Sequence, residues 1–146
     1  MRDGYSTMAH RIHIAVRFID AAPALHGAGV MCIVPDGRML FLKRRVGAAA
    51  HPETWCFPGG SIEPGEGARA AARREAREEV GVNVPAPLTG PIDTRMGFAT
   101  YLAKITRPFD AVLNDEHTGA VWALAKDAPQ PLHPGVAATL KMLASG

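Results

Sequence analysis

The stretch GSIEPGEGARAAARREAREEVGV, residues 60–82, decides how this chain is read. Its first eight residues set Gly60, Pro64, Gly65 and Gly67 among Ser61, Ile62, Glu63 and Glu66, a composition that turns and does not propagate. From Ala68 to Val80 only Ala, Arg, Glu and Val occur, nearly all strong helix formers. Gly81 then stands where a glycine closes a helix. The pattern predicts a loop feeding a helix over 68–80. At about 100° per residue, Glu75, Glu78 and Glu79 fall within an arc of roughly 100°, so three carboxylates share one face. Ala72, Ala76 and Val80 form a neighbouring stripe small enough to pack closely on a sheet, and Arg73 and Arg77 point elsewhere. Like charges this close repel. Arg74 offsets Glu78 at i,i+4, whereas Glu75 and Glu79 have no partner at that spacing. A solvated Glu/Arg face would be the ordinary reading. The unpartnered acids and the open Pro58-Gly59-Gly60 backbone beside them suit a hard divalent cation such as Mg²⁺, which prefers carboxylates, water and phosphate oxygens.

The rest of the 146 residues bounds the setting. The length fits a single domain, 1–146, and the 47% hydrophobic and 21% charged fractions are those of a globular protein. A formal charge of +2 argues against a nucleic-acid arm or a membrane-surface patch. That balance hides a strong asymmetry: of seven glutamates, six lie between Glu53 and Glu79, and only Glu116 lies outside. Cys32 and Cys56 sit in apolar stretches and read as small buried residues, too few for a disulfide scaffold. No apolar run approaches the roughly 20 residues of a membrane span, and the N-terminus lacks a signal-like apolar core. A reducing, cytoplasmic location is the resulting expectation.

Working outward, Arg11 to Phe18 alternates with period two and reads as a strand. Ala28 to Val34 is a buried strand, Pro35-Asp36-Gly37 a turn, and Met39 to Leu42 the returning partner of a β-hairpin. Pro52 to Gly67 reads as loop. Gly97–Ile105 and Ala120–Leu124 are expected strands, and Val136, Leu140 and Leu143 space a closing amphipathic helix over 134–144.

Gly60, five residues, Glu66, seven residues and then Arg74-Glu75-Ala76-Arg77-Glu78-Glu79-Val80-Gly81-Val82 resembles the Nudix box, G-x5-E-x7-R-E-U-x-E-E-x-G-U with U aliphatic. All fixed non-aliphatic positions are filled; Ala76, small where an aliphatic residue is usual, concerns packing and leaves the acids intact. Trp55-Cys56-Phe57-Pro58-Gly59-Gly60 also looks like the family's run into the box. The resemblance implies an α/β/α sandwich around a mixed central β-sheet. It implies hydrolysis of a nucleoside diphosphate linked to some group X, with Mg²⁺ or Mn²⁺, by water attack on phosphorus. The physics agrees: phosphoryl transfer is mostly positioning and charge neutralisation, and clustered carboxylates hold the ions that do the neutralising.

Carried over residue by residue, Glu75, Glu78 and Glu79 with the Gly59 carbonyl are the implied metal ligands. Gly60 and Glu66 support the site, and Arg74 orients the glutamates. The catalytic set is Glu78, Glu79, Arg74 and Glu116, the last as added ligand or general base, since family members differ in where the base comes from. Arg44, Phe57, Phe98 and Tyr101 are the candidates for substrate contact, Trp55 beside them. The six histidines show no metal-ligand spacing, and Gly27-Ala28-Gly29 lacks the third glycine of a dinucleotide fingerprint. The implied partner is a small nucleotide: a nucleoside triphosphate, oxidised or not, or a nucleotide sugar. Two other readings compete, a Nudix-fold nucleotide sensor without catalysis and an RNA 5′-end pyrophosphohydrolase. Intact box carboxylates disfavour the first and near-neutral charge the second. A homodimer is a family expectation that the residues leave undecided.

Overall fold

The computed structural model describes residues 24–145; the strand expected over 11–18 lies outside them. β1 (Gly27–Ile33) is buried along its whole length, as a continuous apolar run demands when both faces and both edges are covered. A turn in which Gly37 adopts φ 97° leads to β2 (Met39–Arg44). The hairpin anticipated here forms only at its tip, where Ile33 faces Met39. Beyond that pair the strands part company, because β4 (Gly59–Ser61) occupies the edge of β1 that the hairpin would have used, pairing Gly27 with Ser61 and Gly29 with Gly59. The other edge of β1 runs parallel to β6 (Phe98–Lys104), which pairs antiparallel with β5 (Thr89–Asp93). β2 pairs antiparallel with β3 (Trp55–Cys56) and with β7 (His117–Ala123). The segment expected to be loop thus contributes two short strands, and β7 starts three residues earlier than its apolar run indicates.

Among the described residues, two α-helices cover the sheet. α1 (Ala68–Val80) packs on β1 and β4, with Ala71, Ala72, Ala76 and Val80 buried. A side chain on Gly60 would point at α1, which places the helix on the face shared by Gly60 and its partner Ala28. Gly29 and Thr100 are partners on the opposite face, as are Thr100 and Asp93. The Asp93 carboxylate accepts a 2.7 Å hydrogen bond from Thr139 Oγ1, and Thr139 belongs to α2 (Pro134–Ser145). The two helices therefore lie on opposite faces, the expected sandwich. Cys32 and Cys56 are free and buried. Among the described residues no helix is long and apolar enough to cross a membrane.

α1 ends at Gly81, whose φ of 77° lets its N–H reach Arg77 O at 2.9 Å. A β-carbon there would stand 2.8 Å from Val112 Cβ. Gly81→Ala combines left-handed strain with this clash and is expected to cost at least about 1–2 kcal/mol. The check is a denaturant midpoint shifted down at constant slope; an unchanged midpoint would contradict this helix ending.

Candidate active site

The pleat of β4 aims its backbone at α1. Val30 N–H donates to Pro58 O at 2.8 Å and Ile62 N–H to His26 O at 2.9 Å, so Ala28 and Gly60, midway between, form the hydrogen-bonded pair of the ladder. Gly59 and Ser61 are then the alternate residues, whose N–H and C=O groups face away from β1. α1 uses them. Gly59 N–H donates to Glu79 Oε1 at 2.7 Å, and Ser61 O accepts from Arg74 Nη2 at 2.9 Å. The Gly59 carbonyl leaves the ladder on the same side. Gly60 meets the helix most closely: a β-carbon would lie 2.5 Å from the Glu75 carboxylate. That approach is what the second glycine is for.

Arg74 is the hub of the acids. Its Nε and Nη2 form a fork on Glu66, at 2.7 and 2.9 Å, while Nη1 reaches Glu75 at 3.0 Å and both Glu78 oxygens at 3.3 Å. Charge-assisted bidentate contacts of this kind fix orientation as well as charge. The guanidinium, with a further hydrogen bond from Glu63 N–H, holds the Glu66 carboxyl down at about 2. Glu75, unpartnered by helix spacing, is therefore partnered by its own sequence neighbour. Burial nonetheless raises its pKa, against the pull of Arg74. Arg73 turns away, donating to Val84 O and Ala86 O.

Glu79 is the anomaly. It is only 2% exposed, and among the described residues the hydrogen bond that favours its charge comes from the Gly59 N–H. Burial pushes its carboxyl up to about 9, with Glu116 and then Glu75 adding in the same sense. Glu116 itself is exposed. Its backbone is pinned on both sides, N–H to Asn114 Oδ1 at 3.0 Å and C=O to Arg45 N–H at 3.1 Å. One ligand atom each from Glu79, Glu116 and His117 lie within 4.8 Å of one another. The glutamate far from the box is thus brought to it by β7. His117, set aside because no histidine pair has ligand spacing, arrives with it; its adjacency to Glu116 was the available signal. Burial lowers the His117 pKa.

A family model described as NUDIX domain matches residues 25–143. The chain belongs to the Nudix family. The nucleoside triphosphatase NudI of Escherichia fergusonii is 32% identical over 120 residues, covering 71% of this chain and 78% of that protein. An RNA pyrophosphohydrolase of Caulobacter vibrioides is 44% identical over 54 residues, 37% of this chain. The matched segments span 30% of the length of the Caulobacter protein and 22% of Nudix hydrolase 3 of Caenorhabditis elegans. Among solved structures, the Nudix hydrolase RenU of Mycobacterium smegmatis superposes with a TM-score of 0.65 at 26% identity, over 83% of this chain and 84% of that one.

Around the Nudix carboxylates, the substrate-contact candidates separate. Phe57 is buried with its ring 5.7 Å from Phe41, and Tyr101 is buried beneath the Arg69 guanidinium of α1. Both lie in the core. Phe98 stays half-buried, lying over Gly27, Gly29 and Gly59 on the face away from α1. Trp55 packs on Gly119, with the Lys43 ammonium 6.0 Å from its ring centroid. Arg44 lines a pocket of about 260 Å³ together with Arg45, Ala48, Ala49, Glu116 and His117, and its Nε is held by Ala50 O at 3.0 Å. Two arginines facing Glu116 across a small pocket put positive charge beside the acidic cluster.

Proposed function

We propose that this Nudix protein is a divalent-cation-dependent pyrophosphohydrolase acting on nucleoside diphosphates linked to X, with nucleoside triphosphates as the favoured class. The observation that carries the reading is the gathering of Glu75, Glu79 and Glu116, the last 37 residues beyond Glu79 in the chain, with Glu116 also lining the pocket beside Arg44. Repulsion among such acids is tolerated in a marginally stable protein where cations take it up. The donor set fits: carboxylate oxygens converge there, and the Gly59 carbonyl is directed off the ladder toward them. Glu75, Glu78, Glu79 and Glu116 with Gly59 O would hold Mg²⁺ or Mn²⁺. When bound, such ions neutralise phosphate oxygens and acidify a water.

The chain's own residues do the rest. Arg74 and Glu66 set the orientation of Glu75 and Glu78, and Arg44 and Arg45 meet the anionic substrate. A carboxylate that accepts the proton of attacking water must reach solvent, and Glu78 and Glu116 are the exposed ones. The pocket is smaller than the 300 Å³ or so that encloses a drug-sized ligand, so it suits a phosphate group, with the nucleoside lying outside it.

NudI aligns well beyond the box, which is why nucleoside triphosphates are favoured. The match to the RNA pyrophosphohydrolase supports a second reading, removal of pyrophosphate from RNA 5′ ends. The test incubates the protein with Mg²⁺ or Mn²⁺ and nucleoside triphosphates, nucleotide sugars, dinucleoside polyphosphates and 5′-triphosphate RNA, with Glu78→Gln as control. Nucleoside monophosphate and pyrophosphate from free triphosphates are the expected products. Turnover confined to RNA, with strong salt dependence, would select the second reading. Equal, near-zero turnover by both proteins throughout would sink the enzyme.

A further inference from the structure

The carboxylate cluster contains one group that Mg²⁺ does not call for. His117 opens β7 and is 5% exposed. Its Nε2 faces Cys56 Sγ at 3.6 Å, while Nδ1 has no hydrogen-bond partner among the described residues. Buried polar atoms are nearly always satisfied, and one that is not needs an explanation. Here a ring nitrogen shares a 4.8 Å sphere with oxygens of Glu79 and Glu116. Ligand atoms bound to a common ion at about 2.0–2.2 Å stand roughly 3–4 Å apart, so small side-chain rotations close the set. The backbone already holds the parts in place: Arg44 is the β-partner of His117, and Arg45 N–H fixes Glu116 O.

We propose that Glu79, Glu116 and His117 form a mixed carboxylate–imidazole site for a divalent transition metal. An imidazole nitrogen is a better donor to transition metals, to Co²⁺ and Zn²⁺ more than to Mn²⁺, than to Mg²⁺, which favours an all-oxygen shell. The site therefore sets a metal preference, Co²⁺ and Mn²⁺ above Mg²⁺, within the cation-binding region proposed above. It rests on that reading only for the presence of cations there, and hydrolysis is not needed to detect it.

The first measurement uses the intact protein and Mn²⁺ alone, without nucleotide. Pulsed electron paramagnetic resonance is expected to show ¹⁴N coupling to the bound ion. The second titrates Co²⁺ and Mg²⁺ into wild type, His117→Gln and Glu116→Gln. Co²⁺ affinity should fall at least about 10-fold in His117→Gln, with a changed visible spectrum, while Mg²⁺ affinity changes less than about 2-fold. Glu116→Gln, a substitution at an exposed position, should weaken both ions. Bound Mn²⁺ without nitrogen coupling overturns the proposal even if hydrolysis is vigorous. Nitrogen coupling in a protein that hydrolyses nothing supports it while removing the enzyme. Because the coupling is read on wild type, the outcome does not depend on either variant folding.

Discussion

Glu79→Gln should make the metal-free protein more stable and the enzyme nearly inactive, and the pairing of those effects is diagnostic. The carboxyl of Glu79 is held up at about 9 by burial, against an ordinary value near 4.5. Between those two pH values the unfolded chain releases a proton that the folded chain keeps. Stability is therefore lost as pH rises through that interval, and below about 4.5 the group costs nothing. Glutamine keeps the shape and still accepts from Gly59 N–H, but it has no proton to release. Its amide nitrogen can donate toward Glu116. At pH 8 without metal we expect a gain of about 1–3 kcal/mol, a few degrees in Tm, that vanishes near pH 4.5. Activity goes the other way. Outer-shell supports of a metal site already cost 10–100-fold when removed, so loss of a buried ligand should cost at least about 100-fold in kcat/KM. Added Mn²⁺ should raise the Tm of wild type and leave the variant nearly unmoved, since only wild type gains from binding. Thermal melts against pH, with and without metal, check the two stability statements, and steady-state kinetics checks the loss of activity. A variant that is less stable at pH 8 would contradict the burial argument.

Arg74→Ala is the second large effect and acts through other residues. It removes the fork on Glu66, the contacts to Glu75 and Glu78, and the tie to Ser61 O. Three carboxylates then repel without a shared partner, and Glu75 loses the contact that opposes the upward pull of burial. We expect the metal concentration for half-maximal activity to rise about 10–100-fold. Glu66 should return from about 2 toward ordinary carboxylate values. Arg74→Lys should recover only a minor part, because a single ammonium cannot fork onto Glu66 while also reaching Glu75 and Ser61 O. Metal titration of activity separates this from simple unfolding, and a side-chain carboxyl titration by NMR reads Glu66 directly. Full recovery by lysine would mean that charge alone, and not geometry, is what Arg74 supplies.

The elements legible in the sequence are those long enough to carry a pattern. The apolar run of β1, the Ala/Arg/Glu block of α1 and the i, i+4 spacing of α2 all form where their residues place them. β3 and β4 have two and three residues, too few for any period, and β4 is glycine-rich because α1 and β1 both press on it. β5 carries Gly90 and Pro91, which mask strand character. The box acids and Arg74 were readable because they share one helix. His117 was not, because templates for metal ligands look for spacing along one element, and here Glu79 comes from a helix while Glu116 and His117 come from a strand start. The burial of Phe57 and Tyr101 was unreadable for a related reason: an aromatic beside a functional loop has the same local sequence whether its ring faces the core or a ligand.

The central claim is that the carboxylate cluster formed by α1 and Glu116 holds divalent cations without which pyrophosphate hydrolysis does not proceed. Its most direct test measures pyrophosphate release from a nucleoside triphosphate by protein stripped with a chelator, then titrated with Mg²⁺ or Mn²⁺. The account predicts no turnover in the stripped protein and full, saturable recovery on titration in wild type, with none in Glu79→Gln. Turnover that persists unchanged in the chelator, or that returns equally in Glu79→Gln, would contradict it.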